Sequence, residues 1–203
     1  ADSMVGNVLN YDEAHDTYYA YHYFSENLAY VIPPLVTNAA TQLATLCYQY
    51  KYDDYNRLIE KKTPDKTNWE NIVYDKLNRI VATGPVASPF GNGAIGYMIT
   101  RYDNLNRVCY TGWYPTIDSR ATIQALYDGA ITNVTKTASN VLIDTKNIRY
   151  TTTNLPTGFK LLSVNYYDNY NYPDAPTTFT STTDFPVYYN NSTLLPKGLP
   201  TGS

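Results

Sequence analysis

The sequence predicts a mainly β protein assembled from antiparallel β-hairpins, with one short helix near residues 119–128. A seven-residue phrase occurs three times, at residues 52–58, 74–80 and 102–108, with Tyr, Asp, Asn and Arg at four fixed positions and an aliphatic residue at the seventh. The segments before the phrases alternate with a period of two and are rich in aromatic residues, which is typical of strands. The 23 tyrosines suit a sheet with one face on a partly wet interior, because the ring is buried while the hydroxyl finds a partner.

The spacing of the phrases indicates a repeat protein. They begin 22 and then 28 residues apart, which is too long for one hairpin turn and right for a supersecondary unit that stacks on its neighbours. Such a unit buries against the next copy a hydrophobic face that it could not bury alone. A loop containing Gly and Pro at residues 84–96 accounts for the longer second spacing.

Each position of the phrase has a physical role. The Asp folds its carboxylate onto nearby backbone N–H groups and starts a turn of four or five residues. The Asn tolerates the positive φ that a hairpin reversal requires. The Arg opens the next strand with its charge outward or toward the turn Asp, and the seventh residue turns back to the core. The residues at the four fixed positions are Tyr52, Asp53, Asn56, Arg57, Tyr74, Asp75, Asn78, Arg79, Tyr102, Asp103, Asn106 and Arg107. The predicted strands cover residues 47–52, 57–62, 70–74, 79–83, 97–102 and 107–112.

A degenerate first unit precedes the clear copies at residues 1–36. Tyr19, Tyr21 and Tyr23 alternate there, and residues 23–27 keep the Tyr and the turn Asn while losing the Asp and the Arg. Two prolines at 33 and 34 end that unit, since neither residue donates to a sheet ladder. The three clear copies belong to a block at 37–114, in which residues 37–45 form a loop or a short helix.

The predicted helix lies in a third block at residues 115–160. Asp118 or Ser119 is a suitable N-cap, Ile123 and Tyr127 fall at helical spacing, and Gly129 can end the helix. Residues 131–160 return to strand-like alternation. A last block at 161–203 restarts the repeat with Tyr167-Asp168 and continues as an extended tail, with one strand expected around residues 187–189.

The phrase closely resembles the YD repeat of the RHS family, which has Tyr-Asp, two or three variable residues, Gly or Asn, Arg and an aliphatic residue. All three copies carry Asn where that family most often has Gly. Segments 30–35, 46–52 and 164–170 resemble the linking stretches of large secreted RHS proteins. The resemblance covers most of residues 18–114 and again 159–173.

The resemblance implies an architecture more than a chemistry. RHS-type chains, including those similar to teneurins and to the cocoon components of insecticidal toxin complexes, wind their hairpins into a spiralling sheet that closes into a hollow shell. The expected function is a non-enzymatic structural segment of a large secreted or cell-surface protein, enclosing or presenting another part of the polypeptide. Flanking repeats, an encapsulated C-terminal segment and secretion machinery are the implied partners. The alternative is a Tyr-rich surface module that binds carbohydrate or protein through exposed rings.

Charge and hydropathy exclude other classes of function. The net charge of −3 argues against a nucleic-acid partner, which requires a basic patch. No stretch approaches the roughly 20 apolar residues that a membrane-spanning helix needs, and the first residues show no signal peptide. Both ends are expected to be cuts through a larger protein, so that missing neighbours would pair the open sheet edges.

The titratable and nucleophilic residues predict no reaction. His15 and His22 lack the spacing and the Cys partners of a zinc site. A disulfide between Cys47 and Cys109 is possible in a secreted protein, but the two cysteines belong to the first and third copies, which favours two buried free thiols. The repeated Asp is explained by the turn. The sequence therefore predicts no catalytic residue, no cofactor-binding residue, no metal ligand and no cofactor.

Overall fold

The computed structural model describes residues 16–175 and 196–203, and the chain divides into two compact units, Ala1–Ile72 and Val73–Ser203. Antiparallel strands dominate both units, and two short helices complete the described part of the chain. The mainly β class predicted from the sequence is confirmed.

The first unit is an antiparallel sheet in which each strand pairs with the next along the chain, in the order β1-β2-β3-β4-β5. Its last strand, β5, crosses the division between the units. The elements are β1 (Tyr18–Tyr21), β2 (Leu28–Ile32), α1 (Ala39–Leu46), β3 (Tyr48–Tyr52), β4 (Leu58–Lys62) and β5 (Glu70–Tyr74).

One face of this sheet carries a small core. Ile32, Val36 and Cys47 are buried, and Leu43 and Leu46 of α1 pack against them. Three buried residues and the partly buried side chains around them form this core in the described part of the unit.

The second unit contains a sheet of four long or medium strands in the order β6-β7-β8-β11 and two small two-stranded sheets, β9 with β10 and β12 with β13. The elements are β6 (Ile80–Ala87), β7 (Ile95–Tyr102), β8 (Val108–Pro115), α2 (Arg120–Ala125), β9 (Lys136–Ile143), β10 (Lys146–Tyr150), β11 (Lys160–Val164), β12 (Tyr166–Tyr167) and β13 (Pro200–Gly202).

The core of the second unit is the larger of the two and is aromatic. It joins strand residues such as Val81 and Ile99 to Ile123 of α2 and to a set of buried tyrosines. Backbone approach is close at Gly112, where an added Cβ would lie 2.1 Å from Cζ of Phe159. Glycine is therefore required for β8 to pack against the start of β11.

The six predicted repeat strands are all present within a few residues of their expected ends. Strands β6, β7 and β8 are longer than predicted. Because β6 continues through residue 87 and β7 begins at residue 95, the loop between them covers only residues 88–94. The expectation of a loop over 84–96 was too wide, since Gly84 and Pro85 lie within β6, at an irregularity of its pairing with β7.

The helix predicted near residues 119–128 is present. Helix α2 lies within the predicted 119–128 and is capped by Ser119, whose Oγ accepts from the backbone N–H of Thr122. A second helix, α1, forms in the segment for which loop and helix were both open. The end of the predicted extended tail forms β13, whereas the strand expected at 187–189 lies outside the described residues. The four blocks bounded at 36, 114 and 160 remain a prediction.

Candidate functional site at the repeat turns

The five residues from Asp to Arg form the same turn in all three phrases. In the first, the N–H of Asp53 donates to the carbonyl of Arg57 at 3.0 Å, and the N–H of Asn56 donates to the carbonyl of Asp53 at 2.9 Å. This is a three-residue hairpin loop built on a type I turn followed by a left-handed residue. The φ values of the repeated asparagines are 59°, 59° and 62°, so the predicted positive φ is confirmed.

The turn introduces a β-bulge, and the bulge decides which residue faces the core. In the third phrase Arg101 pairs with Tyr110 and Tyr102 pairs with Val108, which leaves Cys109 as the extra residue. The side chain of Cys109 is fully buried, as is Val81 at the same eighth position of the second copy. The prediction that the seventh residue turns to the core was wrong, since Ile80 is 41 % exposed and neighbouring strand residues face opposite sides.

The carboxylate of the repeated Asp accepts hydrogen bonds from its own turn. In the second phrase, Oδ1 of Asp75 accepts from the backbone N–H groups of Leu77 and Arg79, and Oδ2 accepts from the Arg79 guanidinium at 2.6 and 2.9 Å. Burial opposes ionisation of this carboxyl, but the hydrogen bonds from Arg79 and Thr132 outweigh it and hold the pKa of Asp75 below its usual range. The Arg side chain was expected to point either outward or toward the turn Asp, and the structure has it toward the Asp.

The Asp and the Arg of the second turn are covered by a later segment of the chain, while the loop residues 76–78 stay exposed. The Asp75 carboxylate is fully buried, and the Thr132 hydroxyl donates to its Oδ2 at 2.9 Å. The N–H of Lys76 donates to the carbonyl of Ala130, and the N–H of Val134 donates to the carbonyl of Tyr102. Residues 130–134 therefore lie across the second and third turns.

Neighbouring turns of the second unit are joined by the arginine of one and the tyrosine of the next. The Arg79 guanidinium stacks over the ring of Tyr102 with its carbon 5.0 Å from the ring centroid. One of its nitrogens donates to the carbonyl of Asp103 at 3.2 Å and to Oδ1 of Asn106 at 3.1 Å. A turn arginine thus binds its own Asp and also the following turn.

The same link continues to the partial fourth copy at Tyr167-Asp168. The Arg107 guanidinium lies 4.4 Å from the centroid of the Tyr167 ring and donates two hydrogen bonds to the Asp168 carboxylate, at 2.7 and 3.0 Å. Those bonds lower the pKa of Asp168 to about 2, against the opposing effect of burial. Asp168 itself has a φ of 70°, so this copy does not repeat the turn geometry of the other three.

The partial copy has a tyrosine where the others have arginine. Tyr172 stacks on the buried ring of Tyr166, with centroids 4.4 Å apart, and its hydroxyl donates to the carbonyl of Thr201 in β13. The link between turns is replaced here by aromatic packing.

The degenerate first turn departs from its predicted assignment. The left-handed residue is Glu26, with a φ of 54°, and Asn27 follows it in the place that Arg takes in the clear copies. The side-chain amide of Asn27 donates to Oδ1 of Asn56 in the next turn at 2.9 Å. Tyr23 lies in the loop and not on the strand with Tyr19 and Tyr21.

An open cavity of about 340 Å³ lies between this first turn and the first clear turn. Its lining is polar and apolar in nearly equal parts and includes two aromatic rings. The residues that line it are His22, Ser25, Asn27, Lys51, Tyr52, Asp53 and Asn56.

Tyrosine is used differently in the two units. In the second unit, Tyr97, Tyr110 and Tyr150 are buried, and Tyr150 stacks on Tyr166 with centroids 5.3 Å apart. In the first unit, Tyr19 and Tyr48 remain 59 % and 39 % exposed. Both lie in one cross-strand row, because each pairs with Val31 of β2.

The remaining candidates for metal binding or nucleophilic chemistry are the two histidines and the two cysteines. His15 lies outside the described residues, and His22 lies edge-on to Tyr52 with centroids 6.3 Å apart. Both cysteines are buried free thiols, the alternative that the sequence favours, and burial raises the pKa of Cys109 to about 11. Within residues 16–175 and 196–203, no group of three His, Cys, Asp or Glu side chains is arranged to hold a metal ion.

Sequence reasoning missed Arg101, which is fully buried in the second unit. Its guanidinium donates to the carbonyl of Asn154 at 2.6 Å and to the hydroxyl of Tyr127 at 3.2 Å, and it stacks over that ring. Its Nε has no partner among the described residues. The repeat gives no signal for it, because the equivalent position holds the fully buried Val73 in the second copy but the exposed Lys51 in the first.

Comparison of the chain with protein-family models, with curated proteins and with solved structures finds no match. In the part of the chain that the structure describes, no helix has the length and apolar character needed to cross a membrane.

Proposed function

We propose that the chain is a non-enzymatic structural segment of a large secreted or cell-surface protein of the RHS type, part of a β-shell that encloses or presents another part of the polypeptide. The observation that carries the proposal is the link between turns, in which Arg79 binds the third turn and Arg107 binds the partial fourth. Both contacts join the arginine of one phrase to residues of the next phrase, so an array of such phrases can continue them from copy to copy.

A structural role also accounts for the charged residues of the phrases. Asp53, Asp75 and Asp103 each accept from the arginine four residues later. A carboxylate with its acceptor positions filled by backbone and guanidinium N–H groups is a poor general base or metal ligand. The expected partners are therefore flanking repeats, together with an enclosed C-terminal segment or secretion machinery.

The proposal is tested by the reading frame that encodes the chain. We expect further Tyr-Asp phrases ending in Arg and an aliphatic residue on at least one side, at spacings near those seen here, followed by a C-terminal segment of different composition. A reading frame whose flanks encode no such phrase contradicts the proposal.

Activity measurements provide a second test. The purified chain is expected to hydrolyse no ester, glycoside or phosphate substrate and to hold no stoichiometric metal. One zinc or calcium ion per chain, or a hydrolase activity lost on changing Asp53, Asp75 or Asp103, contradicts the non-enzymatic role.

The second candidate function is a binding surface for carbohydrate or protein on the first unit. It is supported by the exposed rings of Tyr19 and Tyr48, since a packing role alone would cover them. The test is retention of the chain on immobilised oligosaccharides, compared with a variant carrying Tyr19→Ser and Tyr48→Ser. Equal retention of both proteins, or none of either, contradicts carbohydrate binding at this row.

A further inference from the structure

In the first turn of the chain, the position that holds arginine in the clear copies is occupied by a different residue. Glu26 has the left-handed backbone of Asn56, Asn78 and Asn106, and the residue after it is Asn27. The Asn27 amide donates to Oδ1 of Asn56 at 2.9 Å, as the Arg79 guanidinium donates to Oδ1 of Asn106 at 3.1 Å.

Asn27 repeats only part of what Arg79 does. The guanidinium of Arg79 also donates to the carbonyl of Asp103 and covers one face of the Tyr102 ring. A side-chain amide is shorter than a guanidinium and carries no charge. It therefore cannot make the contacts with the carbonyl and with the ring face that the guanidinium makes.

The cavity of about 340 Å³ lies at this place. Three of its lining residues, Tyr52, Asp53 and Asn56, are the first, second and fifth residues of the phrase. Those are the positions through which Tyr102, Asp103 and Asn106 hold Arg79 in the next unit of the chain. The cavity is therefore lined by the residues that bind a guanidinium elsewhere in the same protein.

The charges around the cavity permit this ligand. Asp53 is already paired with Arg57 at 2.7 Å, as Asp103 is with Arg107. Arg79 binds the third turn through neutral oxygen atoms and takes its counter-charge from Asp75 of its own turn. Lys51 is the one lysine or arginine in the lining.

The Lys51 ammonium is neutralised locally, since it lies 2.6 Å from the Glu60 carboxylate and 4.0 Å from the centroid of the Trp69 ring. His22 also lines the cavity, and its ring is perpendicular to that of Tyr52, with the two centroids 6.3 Å apart.

We infer that this cavity binds the guanidinium group of an arginine side chain presented by another polypeptide segment. The ring of Tyr52 would stack on the planar cation, and the carbonyl of Asp53 and Oδ1 of Asn56 would accept its N–H groups. The inference goes beyond the structural role proposed above and does not depend on whether the chain belongs to a shell.

The first experiment titrates the whole chain with N-acetyl-arginine amide and follows backbone amide signals by NMR. We expect saturable shifts centred on His22, Tyr52 and Asn56, with half-saturation on the order of millimolar for a single partly exposed cation site. N-acetyl-lysine amide should produce much smaller shifts, because an ammonium is compact and strongly hydrated and lacks the planar donor fork.

Asn56→Gly removes the acceptor while keeping the left-handed backbone, and we expect it to weaken binding several-fold. Asn106→Gly makes the same change at the equivalent position of the third copy and should leave binding unchanged. Equal shifts with the lysine derivative, no saturable shifts, or equal loss of binding in both variants would overturn the inference.

The second experiment supplies the missing group within the chain. Asn27→Arg should raise Tm by about 2 °C or more, because the new guanidinium would bind the next turn as Arg79 does, and should abolish the shifts caused by N-acetyl-arginine amide. Asn68→Arg adds the same charge at an exposed loop position of the same unit and should do neither. If Asn27→Arg leaves arginine binding intact, the ligand does not occupy the place of the missing arginine and the inference fails.

Discussion

Asparagine at the fifth position of each phrase combines two properties that the turn needs. It tolerates the left-handed backbone, with a φ near 60° in all three copies, and it offers a side-chain oxygen to the preceding turn. Asn106 accepts from Arg79 and Asn56 accepts from Asn27. Glycine would meet only the first requirement.

The cost of losing the left-handed residue can be measured at Asn78. Asn78→Val should lower the free energy of unfolding by about 1–2 kcal/mol, because a β-branched residue is strained at a φ of 59°. Asn78→Gly keeps the backbone conformation and removes the same side chain, so it isolates the strain from any lost side-chain contact. Chemical denaturation of both variants checks the prediction, and equal stabilities of the two would contradict the turn model.

The carboxylates of the turns make stability depend on acid pH. The pKa values of Asp53, Asp75 and Asp168 are all lowered in the folded chain, that of Asp168 to about 2. Their ionised forms therefore contribute stability that is fully present above the unfolded pKa of about 3.9 and is lost as the pH falls through the folded values. We expect the free energy of unfolding to decrease from about pH 4 toward pH 2.

The Asp168→Asn variant tests the contribution of the Arg107 pair. Its stability at pH 7 should be lower than that of the parent, and the difference should shrink as the pH is lowered toward 2. Urea denaturation at several pH values measures both curves. Parallel curves, with a constant difference between the two proteins, would show that the carboxylate of Asp168 is not held ionised by its partner.

At the scale of elements, the hairpins could be predicted because the information for them is local. A Tyr-Asp start, an Asn tolerant of positive φ and an alternating strand on either side lie within about a dozen residues of each other. The burial of the eighth residue could not be predicted from local sequence. It depends on the β-bulge, which leaves Cys109 without a paired residue on the neighbouring strand. Local alternation alone assigned the core to the seventh residue.

Longer-range features were missed for a different reason. Thr132 donates to Asp75 across 57 residues of sequence, and Arg101 donates to the carbonyl of Asn154 across 53 residues. Neither contact has a periodic signal in the sequence. The pairing of Arg107 with Asp168 could be predicted in part, since both residues belong to copies of one phrase. The sequence of the phrase does not show which copy a given arginine contacts.

The close packing of β8 against the chain entering β11 depends on a glycine. A Cβ at Gly112 would lie 2.1 Å from Cζ of Phe159 and 2.4 Å from the carbonyl oxygen of Lys160, so Gly112→Ala should destabilise the chain by about 2–3 kcal/mol. Gly91→Ala is the comparison, because its Cβ would meet no atom within 4 Å and only its φ of 69° is strained. It should cost about 1 kcal/mol. Thermal denaturation ranks the two, and a smaller cost at Gly112 would contradict the close approach.

At the scale of the whole molecule, the two compact units differ in what their tyrosines do. The second unit uses them as core residues, with Tyr97, Tyr110 and Tyr150 buried beneath helix and loop. In the described part of the first unit, α1 packs on a small core, and Tyr19 and Tyr21 are exposed on β1. A unit with so small a core draws a larger share of its stability from contacts made by its strands.

Strand β1 is an edge strand in the described chain, because it pairs there only with β2. We expect the isolated protein to self-associate through this edge, as an unpaired strand offers a row of N–H and C=O groups to another chain. Sedimentation velocity over a range of concentrations should show a rising weight-average mass. Tyr19→Lys with Tyr21→Lys should reduce it, since edge lysines oppose strand pairing, whereas Tyr55→Lys at an exposed turn position should not. A concentration-independent monomer with a single cooperative thermal transition would contradict the dependence on neighbours and favour an independently folded binding module.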